Sequence, residues 1–156
     1  MKKQELIFEK FAIFLKSTFG NKLIFRDDEK HITLATTGIW IAVNSQELSI
    51  GYGMNHREFN PEYEDISNAV TLFFDLLTKT TRITSYYKGT RMFKCTTVVE
   101  GANGAFNYLS TTLTWLFPYW KNTTEVITFK KPLLSREEIQ DEIQALQKYA
   151  ALIQKS

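Results

Sequence analysis

Few side chains in this sequence could act as nucleophile, base or metal ligand. There are two histidines, His31 and His56, and one cysteine, Cys95. No Gly-x-Ser-x-Gly elbow is present, and no motif supplies the nucleophile, base and orienting acid of a hydrolase triad. Cys95 stands among strand-forming residues, where a small buried hydrophobe is a commoner role than a reactive thiol. His56-Arg57-Glu58 matches the His-x-Glu half of the zinc-deaminase pattern, but the Pro-Cys-x-x-Cys half needs cysteines this chain lacks. No other His, Cys and carboxylate set has ligand spacing, so no metal is expected. Gly51-Tyr52-Gly53 lacks the third glycine and the Lys-Ser/Thr of phosphate loops, which argues against a nucleotide cofactor. Glu62 and Glu64 could do acid–base work, but a place in the first turn of a helix accounts for both. No catalytic residue and no cofactor are assigned, and the balance is against an enzyme. His56, Arg57 and Glu58 stay as a candidate ligand or site loop.

Charge is more informative. The net charge of +2 hides an asymmetry. Residues 76–134 carry 8 Lys/Arg against 2 Asp/Glu, residues 1–75 carry 8 against 11, and residues 135–156 carry 3 against 4. Lys79, Arg82, Lys88, Arg91 and Lys94 follow one another with no acid among them, interleaved with Tyr86 and Phe93. Solvated lysines that discourage edge pairing are the plain reading. The alternative is a surface for an acidic partner. Further on, Trp115-Leu116-Phe117-Pro118-Tyr119-Trp120 packs aromatic side chains around a proline, either as an interface loop or as one tucked into the core. The candidate partner-binding set is therefore Arg82, Tyr86, Lys88, Arg91, Lys94, Trp115, Tyr119 and Trp120. Cations beside aromatics also suit single-stranded nucleic acid, but the aromatic-glycine signature of the common RNA-binding sheet is missing.

These residues belong to a run rich in Thr, Val, Ile, Tyr, Phe and Trp, which suit a pleated surface. Turn residues interrupt the run at hairpin spacing, at Lys88-Gly89 and at Gly101-Ala102-Asn103-Gly104, so residues 81–132 are read as a four-stranded antiparallel meander. Strands are also expected over 22–26, 31–36, 39–43 and 48–52, and Gly51–Pro61 is read as a loop. Helices are expected over 3–18, over 62–78 with Asn60 as N-cap and Pro61 first, and over 135–154 behind the capping box Ser135/Glu138. The fold class is α+β: an antiparallel sheet of about six or seven strands with three helices mainly on one face. Trp40, Phe11, Val70, Phe73, Leu113 and Ile127 are the expected core. The last helix carries a narrow stripe, Ile139, Ile143, Leu146, Ala150 and Ile153, that either packs on the domain or pairs with a second copy.

A chain of 156 residues without a linker or repeat is read as one domain. The single cysteine excludes an intrachain disulfide and fits a reducing compartment. Glu5, Glu9, Lys10 and Lys16 interrupt the apolar N-terminus, so it reads neither as a signal peptide nor as a membrane span, and a cytoplasmic place is expected. His56-Arg57-Glu58-Phe59, a short helix ending Asp75-Leu76-Leu77, then Arg82-Ile83 leading through Tyr86-Tyr87-Lys88-Gly89 resembles small α+β immunity proteins of bacterial polymorphic-toxin systems. That resemblance implies a protein partner, a cognate toxin domain that the chain would neutralise, and it carries no catalytic residue. The competing reading is a small-ligand pocket or weak enzyme between sheet and helix.

Overall fold

The first helix, α1, forms over Lys3–Phe19, where Ile7, Phe11, Phe14 and Leu15 recur on one face and are buried. The Glu5 carboxylate accepts the Lys2 backbone N–H at 2.8 Å, and Gly20, at φ 54°, ends the helix. The computed structural model describes residues 1–101 and 106–156, and the side chains at 106 and 107 are likewise not described. The turn read at Gly101-Ala102-Asn103-Gly104 thus falls mainly outside the described residues.

Five short strands follow: β1 (Leu23–Arg26), β2 (His31–Leu34), β3 (Ile39–Val43), β4 (Leu48–Tyr52) and β5 (Asn55–Phe59). They pair in chain order as an antiparallel sheet. The residues read as a loop from Gly51 to Pro61 include the end of β4 and all of β5, which pairs Asn55 with Tyr52, His56 with Gly51 and Phe59 with Leu48. Gly53, at φ 59°, makes the tight turn that permits this.

Helix α2 (Ser67–Thr78) begins later than Asn60-Pro61 suggested. Asn60 closes a separate turn instead: its side chain accepts the Glu62 N–H at 2.9 Å and its carbonyl accepts those of Tyr63 and Glu64. Gln154 then satisfies the break, donating to the Pro61 carbonyl and accepting from the Ile66 N–H, while Asp65 accepts the Ser67 N–H. Glu62, Glu64 and Asp65 lie upstream of the helix, not in its first turn. Helix α3 (Gln140–Lys155) also starts late. Ser135 reaches Glu137 rather than closing the box with Glu138, because Leu133 and Leu134 donate their N–H groups to Leu77 and Arg136 is held by Asp75.

Helices α1 and α2 pack on the first sheet, and α3 packs against both of them. Phe11 stacks on Phe73 with centroids 4.0 Å apart, and Phe14 meets Phe73 and Phe74 edge-on. Ile143, Leu146, Ala150 and Ile153 of α3 are buried in this same core. The stripe therefore packs within the chain.

A second, four-stranded antiparallel sheet is made by β6 (Thr81–Lys88), β7 (Arg91–Glu100), β8 (Phe106–Leu113) and β9 (Thr123–Lys130). Its order is β8-β7-β6-β9, so β9 does not continue the meander but crosses back to lie beside β6. That is Greek-key order, with residues 114–122 as the crossover. Among the described residues nine strands thus form two sheets, where a single sheet of about six or seven strands was expected.

Three of the expected core residues, Phe11, Val70 and Phe73, are fully buried. Leu113 and Ile127 are 68% and 50% exposed, because both fall on the open face of the second sheet and at its two edges. Trp40 is half-buried. Helices cover only the side of β3 that carries Ile39 and Ile41, and Trp40 faces the other way.

Candidate interaction face of the second sheet

Strand register decides which side chains of the second sheet share a face, since antiparallel partners point the same way. Thr97, Cys95 and Thr81 point inward. Asn55 of β5, 1% exposed, donates to the Thr97 hydroxyl at 2.6 Å and approaches the Cys95 sulfur at 3.6 Å. The Thr112 hydroxyl donates to the Asn55 side-chain oxygen at 2.7 Å. This buried network joins the two sheets and gives Cys95 a packing role.

The opposite face reads as rows across the strands; Leu113, Ile127 and Phe129 at its borders are exposed, whereas Thr84 and Val98 on the central strands are buried. One row is Phe129, Arg82 and Val98; the next is Ile127, Thr84, Thr96 and Thr111. A third is Glu125, Tyr86, Lys94 and Leu113, and the last is Thr123, Lys88 and Arg91. The hairpin loop has two residues, Gly89-Thr90, with Gly89 at φ 61°, and a bulge at Phe93 keeps Lys94 on the face of Arg91 and Lys88. Arg82, Tyr86, Lys88, Arg91 and Lys94 are therefore on one face. Lys94 Nζ lies 4.9 Å above the Tyr86 ring and Lys88 Nζ lies 5.9 Å from that of Phe93.

The crossover seats its aromatics beside this face. Phe117 stacks on Phe93 at 4.7 Å, the Thr114 N–H donates to the Phe93 carbonyl, and the Gly89 N–H donates to that of Asn122. A Cβ on Gly89 would come within 2.6 Å of the Lys121 side chain, so the loop passes close over the hairpin turn. Trp115, Tyr119 and Trp120 remain 84%, 76% and 71% exposed, which makes the loop an outward one. Phe93, Phe117, Leu113 and Ile127 join the face; the sequence noted Phe93 and Phe117 among its aromatics without placing them in the partner-binding set, and it assigned Leu113 and Ile127 to the core.

His56, Arg57 and Glu58 do not converge. They alternate along β5: His56 and Glu58 meet at 3.2 Å on the outer face of the first sheet, whereas Arg57 points the other way to Glu64 at 3.0 Å. His56 and His31 instead flank Trp40, with ring centroids 5.5 and 5.2 Å away. The indole lies flat on Gly51 and donates to the Gly53 carbonyl at 3.0 Å. The two largest described clefts, about 720 and 460 Å3, run along the start of α1 beside residues 60–63 and along α1 beside Phe25; neither is lined by His or Trp. Among the described residues no three His, Cys, Asp or Glu side chains stand together as a metal site, and no helix is long and apolar enough to cross a membrane. No protein-family model matches the chain, and no curated protein or solved structure matches it either.

Proposed function

We propose that the chain is a non-enzymatic protein-binding domain whose open second-sheet face receives an acidic protein surface. The observation that carries this reading is the register that puts Arg82, Lys88, Arg91 and Lys94 on one face beside an exposed aromatic loop. Such charges speed association and select partners, while exposed aromatics supply affinity. An inhibitor that neutralises a cognate toxin is the form of this function suggested by the resemblance to immunity proteins. For a small-ligand role, neither cleft offers a His or Trp in its lining, and Tyr63 is the one aromatic of the first. Base stacking would need ring faces that Lys94, Lys88 and Phe117 already approach at Tyr86 and Phe93.

The test is co-expression with the product of the adjacent gene, followed by binding kinetics at several salt concentrations. Lys88→Glu, Arg91→Glu and Lys94→Glu together should slow association by about tenfold or more and flatten its salt dependence. Trp120→Ala should act mainly on dissociation. A partner whose association ignores the triple variant would end this reading.

A further inference from the structure

Strand β9 is exposed along its whole length, on both faces, and it ends its sheet. Its centre, Val126-Ile127-Thr128-Phe129, carries no charge, and Val126, Ile127 and Phe129 are 46%, 50% and 58% exposed. Edge strands are ordinarily protected by an inward charge, a proline, a bulge or a covering element. Here the nearest such features are Glu125 on one side and Lys130, Lys131 and Pro132 on the other. Apolar, β-branched residues on both faces are the pattern of a strand flanked by another strand and covered, not of a sheet border.

We propose that β9 pairs antiparallel with β9 of a second copy of this chain, joining two four-stranded sheets into one of eight. The proposal does not rest on the partner reading above. A twofold axis that joins two antiparallel edges stands perpendicular to the sheet, so every residue meets one of its own face. Three registers then use the apolar centre. Centred on Val126, the pairing sets Glu125 against Ile127 and Thr123 against Phe129. Centred on Ile127, it sets Glu125 against Phe129. Centred on Thr128, it sets Ile127 against Phe129 and Glu125 against Lys131, each twice by symmetry. The first two registers match apolar residues only at the axis, Val126 with Val126 or Ile127 with Ile127; the last sets Val126 against Lys130 but alone combines a repeated β-branched–aromatic pair with an opposite-charge pair, both of which stabilise neighbouring strands. The self-complementary pairing in that register is the reason a second copy is assigned to this edge.

Sedimentation velocity across a concentration series tests the idea on the full chain. The wild-type protein should pass from monomer to dimer as concentration rises. Ile127→Lys with Phe129→Lys, both at exposed positions, should raise the dimer dissociation constant roughly a hundredfold with melting temperature little changed. Glu125→Lys or Lys131→Glu alone should weaken dimerisation by about tenfold, and the two together should restore it. A protein that stays monomeric at every concentration, a dimer indifferent to the lysine pair, or a charge swap that fails to restore association would each overturn the proposal. The charge-swap pair keeps the test decisive if the lysine variants do not fold.

Discussion

At the scale of single residues, the least legible group in the sequence is the one on which the two sheets depend. Asn55 is a poor strand former, and Gly53-Met54 before it look like the middle of a loop. Thr97 and Thr112 read as generic strand residues. Only register shows that all three meet in a buried network. Asn55→Ala should therefore cost roughly 1–3 kcal/mol in urea unfolding, since it removes the partner of the buried Thr97 hydroxyl, while Thr112 keeps the Met54 carbonyl as acceptor. A loss below the error of the fit would mean the Thr97 hydroxyl finds another partner. Tyr52, paired with Asn55, gives a pH effect. Burial pushes its phenol pKa up, so the folded chain holds that proton more tightly than the unfolded one. The resulting stability is fully present below the unfolded phenol value of about 10 and is lost as pH rises through the higher folded value. Tyr52→Phe should make the decline of the urea midpoint at alkaline pH shallower than in wild type, and parallel declines would contradict the assignment.

At the scale of elements, the sequence placed the helices and most strands because their apolar periods are long and unbroken. It misplaced boundaries where side chains from distant elements decide. Pro61 after Asn60 is a sound helix start locally, yet Gln154 from α3 and the Arg57–Glu64 pair hold residues 60–66 in a turn. Trp40 shows the same limit. Trp40 was expected in the core, but on its side of the strand it lies against a glycine rather than another layer. A Cβ on Gly51 would lie 2.1 Å from Trp40 Cε2, so the absence of a side chain there is what lets the indole lie down. Gly51→Ala should cost roughly 1–3 kcal/mol, because ring and backbone must part and the bond to the Gly53 carbonyl is disturbed. The double-mutant cycle with Trp40→Ala isolates the cause: in that background Gly51→Ala should be nearly neutral. An equal cost in both backgrounds would place the strain elsewhere.

At the scale of the whole molecule, anchoring is uneven. The first sheet and its helices bury the phenylalanine cluster, whereas the second sheet is held by its inner face at β7 and β8, and β9 has neither face covered. A sequence cannot show this division, because strand periodicity reports that a face is apolar but not which strands pair or what covers them; hence two sheets appear where one was expected. Native-state amide exchange should expose the gradient. Central amides, such as those of Ile41 and Ile50, sit between two hydrogen-bonded strands over the helical core and should exchange only with global unfolding. In dilute protein, the alternate β9 amides that point away from β6 lack a strand partner and should exchange at nearly the rate of loop amides. Their neighbours bonded to β6 should be slower but still faster than the central strands, since opening the border strand uncovers little apolar surface. Uniform protection across all nine strands in dilute protein would contradict this gradient. A selective slowing of the outward β9 amides as concentration rises, with β3 and β4 unchanged, would locate self-association at that edge by a measurement independent of mass.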